Sequence, residues 1–191
     1  MFQEQLKTKI EEMDLKNVDM AKLRCQDPTK MLQTEVNQIQ NNCGEFLWCI
    51  DNWENKLARS RNGIEISVFS DPFYSHRNGY KMCLRLEFGN VNLFLDLQIL
   101  RGEFDNNLQW PFQHEVIFDL LNQETGLPHV SRVVKARKDP RNYVWKKPTK
   151  EKNKGIWFYF VDLSDLYLNA ALSKGNQIWI RATTKIKTDF Q

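Results

Sequence analysis

Glycine and histidine are scarce in this chain, and long apolar runs are absent. Its 191 residues include 8 glycines, 3 histidines and 4 cysteines. No segment approaches the roughly 18 consecutive apolar residues of a membrane-spanning helix. The polar start MFQEQLKTKIEEMD lacks the apolar stretch of a signal peptide. A cytoplasmic location without membrane insertion is the expectation. Cys25, Cys43, Cys49 and Cys83 are irregularly spaced, without a C-x-x-C pair or nearby histidines. Reduced thiols and no zinc or other metal are therefore expected. His76, His114 and His129 lie in separate segments, and none sits in a nucleophile or metal motif; His114 and His129 read as strand-end or loop residues. Neither a GxGxxG sequence nor a P-loop occurs. Asp162 and Asp165 flank a predicted helix start, where capping accounts for them. No enzyme and no cofactor is expected. The net charge of +3 is too small for the electrostatic footprint of a dedicated nucleic-acid binder.

With 41% hydrophobic residues, the chain holds enough apolar material for one good core and an extension beside it. The organising stretch runs from Asn78 to Phe118. Gly89-Asn90 reads as a Gly-first two-residue hairpin turn between alternating segments. Pairing Phe88 with Val91 sets Leu86 opposite Leu93, Leu84 opposite Leu95, Met82 opposite Leu97 and Tyr80 opposite Ile99. That face is entirely apolar. The other pairs Glu87 with Asn92, Arg85 with Phe94, Cys83 with Asp96 and Lys81 with Gln98, an exposed or ligand-facing surface in which Asp96 lies on the diagonal from Arg85. A second layer must cover the apolar side.

Residues 2–41 contain no glycine, and their apolar residues are spaced for a helix. Leu6, Ile10, Met13, Asn17 and Met20 trace a heptad seam in which Asn17 is a polar core position that would fix register. Asp27-Pro28 interrupts it, with Asp27 as a cap. Leu32, Val36 and Ile39 resume the stripe, and Cys43-Gly44 end it. A single amphipathic helix packed on its own domain is the competing reading, but so narrow a stripe buries little against a globular face. An oligomeric coiled coil over residues 1–43 is the expectation. The chain begins inside this helical pattern, as a piece of something longer would.

From Glu45 the period becomes two. Phe46, Trp48 and Ile50 alternate with Leu47 and Cys49 in a first strand, and residues 51–62 read as a turn-rich connection. Ile64, Ile66 and Val68 mark a second strand, and Ser70-Asp71-Pro72 a loop to the hairpin. Residues 102–107 turn the chain, and Trp110-Pro111-Phe112 reads as an apolar plug. Further strands are predicted over 115–121, 130–135, 156–161 and 177–186, with a short helix over 164–171. Eight short strands separated by turns predict an all-β chain, an eight-stranded antiparallel β-sandwich over 44–191 preceded by the coiled coil.

The segment 135–154 carries Lys135, Arg137, Lys138, Arg141, Lys146, Lys147, Lys150, Lys152 and Lys154 against Asp139 and Glu151. Tyr143 and Trp145 interleave with these cations. Such a pattern suits single-stranded nucleic acid or an acidic surface, and equally a solvated loop.

At GYKMCLRL, followed by LRGEFDNNLQWPFQHEVIFDLL, the sequence resembles the C-terminal TRAF (MATH) domain of the tumour necrosis factor receptor-associated factors. The resemblance runs from FLWCI at Phe46 to QIWIRA. It implies an eight-stranded sandwich behind a trimeric coiled coil. It also implies a homotrimeric cytoplasmic signalling adaptor that binds extended segments of receptor tails and links them to ubiquitin-dependent signalling. In the family such segments add to a sheet edge. The family's RING and zinc fingers, which carry ubiquitin ligase activity, are absent from this chain. Arg85 stands where the family arginine meets an acidic peptide position. The next contact position, often tyrosine, is Glu87, and an aromatic lining position is Asp96. Asn142, Tyr143 and Val144 replace serines that bond the peptide, Trp145 keeps the aromatic after them, and Gly155 completes the implied peptide-binding set. Leu6, Ile10, Met13, Asn17, Met20, Leu32, Val36 and Ile39 are the implied trimer interface. Receptor tails or adaptor peptides are the implied partners, and nucleic acid is not.

Overall fold

In a computed structural model of the chain, residues 44–64, 66–136 and 143–185 are described. The coiled-coil positions and the basic residues Arg137, Lys138 and Arg141 lie outside them. Chain order runs β1 (Glu45–Asp51), α1 (Trp53–Arg61), β2 (Ser67–Phe69), β3 (Phe73–Tyr74), β4 (Lys81–Phe88), β5 (Asn92–Ile99), β6 (Glu115–Leu121), β7 (Pro128–Lys135), β8 (Ile156–Asp162), α2 (Leu163–Leu168) and β9 (Gln177–Lys185). The strands form two antiparallel sheets, ordered β1-β9-β6-β7 and β2-β4-β5-β8, with β3 also paired to β4.

Period-two alternation explains the layers, because successive side chains of a strand point to opposite faces. Phe46, Trp48 and Ile50 of β1, Val116, Phe118 and Leu120 of β6, and Ile178, Ile180 and Ala182 of β9 bury one sheet's inner face. Leu84 and Leu86 of β4 with Leu93, Leu95 and Leu97 of β5 bury the other. The result is the antiparallel β-sandwich the sequence predicts. Its additional strand, β3, is short and pairs with β4, and its Phe73 stacks on Phe46 of β1 with ring centroids 4.1 Å apart.

The central hairpin differs from expectation by a slip of two residues. Phe88 pairs with Leu93, Leu86 with Leu95, Leu84 with Leu97 and Met82 with Ile99. The turn therefore holds residues 89–92 rather than Gly89-Asn90 alone, and Val91 stays exposed while its carbonyl accepts from Leu163 N at 2.9 Å. A two-residue slip leaves every side chain on its predicted face but changes each partner. Arg85 consequently stands directly opposite Asp96, and Glu87 opposite Phe94.

Residues 53–61, expected as turns, form α1. Trp53 and Leu57, four apart and so on one helix face, are both 1% exposed. Glu54 in the first turn and Arg59 and Arg61 in the last suit the helix dipole. The second strand is shorter than expected, since Ile64 is exposed and pairing begins at Ser67. Asp162 occupies the N-cap position of α2 but makes no capping bond. The apolar plug is present: Phe112 is 1% exposed, and Trp110 donates its indole N–H to the Asp105 carbonyl at 2.9 Å.

Candidate functional site

Strand register brings the chemistry together on the outer face of the β2-β4-β5-β8 sheet. One row across the strands reads Phe69, Arg85, Asp96, Trp157, and the next reads Ser67, Glu87, Phe94, Tyr159. Arg85 is flanked by carboxylates: Nη1 meets Glu87 Oε1 at 2.7 Å, while Nε and Nη2 each lie 3.2 Å from Asp96 Oδ2. Asp96 Oδ2 also accepts from Gln98 Nε2 at 2.7 Å. Gln98 Oε1 in turn takes Lys152 Nζ at 3.1 Å and the Cys83 thiol at 3.7 Å. Burial pushes that thiol's pKa up, Lys152 opposes the shift and Asp96 adds to it.

Much of this face is not open to water. Asp96 is 3% exposed, and its Oδ1 is buried without a hydrogen-bond partner. The cover is the segment before β8, held by Asn153 N donating to Ile99 O at 3.0 Å and Arg101 N to Glu151 O at 2.8 Å. Gly155 lies directly on the carboxylate. A Cβ there would fall 2.5 Å from Asp96 Cγ and 2.6 Å from Oδ2, and closer still to Oδ1. Glycine is required for so close a backbone approach.

The aromatic residues form the accessible part. Trp157 stacks on Phe94 with centroids 4.2 Å apart and planes at 13°, and its indole N–H donates to Glu87 Oε2 at 2.8 Å. Tyr159 meets Phe94 edge-on at 6.4 Å, and the Arg132 guanidinium sits 5.2 Å over its ring. The Tyr159 phenol pKa is raised by burial and by its hydrogen bond to Asp162, with Arg132 acting against both. Trp157 is 52% exposed and Tyr159 37%.

Of the residues implied as peptide-binding, Arg85, Glu87, Asp96 and Gly155 therefore meet at one place. Tyr143 is exposed and Val144 half-buried on a short 3₁₀ turn, Tyr143–Trp145. Trp145 is 2% exposed and stacked on Phe112 at 5.4 Å, inside the core. Asn142 lies outside the described residues. The hairpin pattern placed Phe94 on this face, but Trp157 and Tyr159 were not singled out. Their signal was available in IWFYF, where Trp157 and Tyr159 occupy the alternate positions of a strand.

The outer face of the other sheet is also unusual. Leu47, Trp179 and Ile117 are only half-buried there, around Asp119, which is 5% exposed. Asp119 Oδ2 pairs with Arg181 Nη2 at 2.8 Å, and Oδ1 accepts from Ser131 Oγ at 2.5 Å. Three of the described cations of the basic segment are engaged separately: Lys135 with Glu115 at 3.3 Å, Lys147 with Asn106 at 2.7 Å, and Lys152 with Gln98.

The described residues thus form an all-β sandwich with an aromatic and polar face on its edge strand β8. The family model for the TRAF/meprin MATH domain matches residues 65–181, and the chain belongs to that family. It is 35% identical over 129 residues to TNF receptor-associated factor 5 of Mus musculus, covering 63% of this chain and 23% of the relative. To TNF receptor-associated factor 1 of Homo sapiens it is 42% identical over 86 residues, covering 42% of this chain and 21% of the relative. The chain thus spans under a quarter of the length of these relatives. The solved structure of Notothenia coriiceps TRAF5 superposes with a TM-score of 0.67 at 24% identity, covering 100% of this chain and 96% of that one, a likeness of fold. No helix among the described residues is long and apolar enough to cross a membrane.

Proposed function

We propose that the chain is the oligomerising and ligand-binding part of a cytoplasmic signalling adaptor. Residues 1–43 form a trimeric coiled coil, and residues 44–191 bind extended segments of receptor tails or adaptor peptides. The domain is not itself catalytic, and it links its ligands to ubiquitin-dependent signalling through partners or through segments of a longer protein. The observation that carries the reading is β8, which ends its sheet's order and carries Trp157, whose indole reaches across β5 to the Glu87 that pairs with Arg85. An edge strand gives an extended peptide a backbone ladder, and the adjacent side chains read its residues. The similarity to TNF receptor-associated factors supports the adaptor class. Nucleic-acid binding through residues 135–154 is the weaker alternative, because Lys135, Lys147 and Lys152 are each engaged by a different protein partner.

Sedimentation of residues 1–191 and 44–191, followed by binding of both to a peptide array, tests the reading. A trimer that loses apparent affinity for clustered peptides when 1–43 are removed is the expected result, since linked sites gain from effective concentration. A full chain that is monomeric at micromolar concentration refutes the trimer. Binding that falls linearly with log salt whatever the ligand sequence supports the nucleic-acid alternative instead.

A further inference from the structure

The centre of the candidate face is electrically closed. Arg85 already spends Nε, Nη1 and Nη2 on Glu87 and Asp96, so an incoming peptide carboxylate must displace one of them or meet the remaining Nη hydrogens against the charge of both. Asp96 has nowhere to go: it is 3% exposed, one of its oxygens is already unpartnered, and Gly155 lies against it. Separating it from Arg85 leaves a buried charge uncompensated. Glu87 yields only by also releasing the Trp157 indole, which it accepts at 2.8 Å. All of these routes disfavour an acidic ligand.

What remains open is aromatic. One face of the Trp157 ring lies on Phe94, and a residue that is 52% exposed turns its other face to solvent. Glu87 and Phe94 hold the ring in one orientation, so binding to it costs little further ordering. Tyr159 stands two residues along the same strand, and Phe69, 52% exposed, lies at the other end of the Trp157 row. Arg85 with Glu87 and Asp96 leaves one negative charge, which Lys152 offsets through Gln98, and a cluster balanced in this way complements an uncharged partner. Resting on the peptide-binding reading above, we infer that this face selects an uncharged extended segment that lays a flat apolar ring, aromatic or prolyl, on the Trp157 indole. Glu87 is the specificity-determining residue, since it both neutralises Arg85 and fixes the indole.

The test uses the full chain and four pools of decapeptides, each randomised except for a central Trp, Pro, Ala or Glu, read by fluorescence polarisation. The Trp or the Pro pool binds wild type at least about fivefold more tightly than the Glu pool, as expected of ring stacking against a closed ion cluster. That preference changes by less than about twofold between roughly 50 and 500 mM NaCl, because no net charge is recognised. Trp157→Ala removes the preference. Glu87→Gln, which removes the carboxylate charge beside Arg85 while keeping one acceptor oxygen, raises Glu-pool binding about fivefold or more. The Glu87→Gln arm decides the matter if Trp157→Ala does not fold. A Glu pool that binds wild type as tightly as the ring pools, or a ring preference that survives Trp157→Ala, overturns the inference while leaving peptide binding intact. Failure of all four pools to bind overturns the peptide-binding reading and this inference with it.

Discussion

Replacing Gly155 by alanine tests the closeness of the segment that covers Asp96. The added Cβ would stand 2.5 Å from Asp96 Cγ, whereas ordinary van der Waals contact begins near 3.4 Å, so something must move by about 1 Å. Gly155 is not among the glycines of positive φ, so the cost is steric rather than conformational. Neither side yields easily. Arg85 and Gln98 clamp the carboxylate, and the covering segment is tied by Asn153 to Ile99, by Arg101 to Glu151 and by the bridge between Leu100 and Lys152. Overpacking of this kind costs about 1 to 3 kcal/mol. For a domain of this size that lowers Tm by about 2 to 12 °C. Scanning calorimetry reads the shift. A double-mutant cycle with Asp96→Ala isolates the contact, since removing the carboxylate opens the space the methyl needs. Gly155→Ala should therefore cost less in the Asp96→Ala background than in wild type. A Tm within about 1 °C of wild type, or strictly additive effects in the cycle, would refute the close approach.

Arg181→Met leaves the buried Asp119 carboxylate with the Ser131 hydroxyl but without its cation, and should cost about 3 kcal/mol, seen in urea as a lower midpoint at unchanged slope. Trp145→Ala empties a core position and should cost about 3 to 5 kcal/mol, whereas Trp157→Ala on the surface should cost under about 1; equal losses would contradict their burial. Burial lowers the His76 pKa below its ordinary 6.5, so the unfolded chain takes up the proton first as pH falls. Stability is therefore lost as pH drops through that value, levelling off below the folded pKa, and His76→Gln should lose less of its Tm than wild type between pH 7.5 and 5.5.

Alternation was legible in the residues because it is local. Phe46, Trp48 and Ile50, or Leu84 and Leu86, announce a strand and its buried face without reference to any partner. The same property explains the hairpin. Moving the turn from two residues to four preserved both faces, so the apolar pattern had no power to choose between the registers. Trp53 and Leu57 carried a helical spacing, but so short a segment among polar residues read as a turn, and only the core it packs against makes it a helix.

The amino-acid sequence by itself therefore determined the sandwich, the faces of its main strands and the family, all properties of short-range pattern and motif. Tertiary structure decided the site. It set Arg85 opposite Asp96, laid Gly155 over the carboxylate, took Trp145 into the core, and brought Trp157 to Glu87 from 70 residues away. Those outcomes depend on how loops close and which strands become neighbours, and hydrophobic periodicity along one strand holds no information about the side chain that will face it from another.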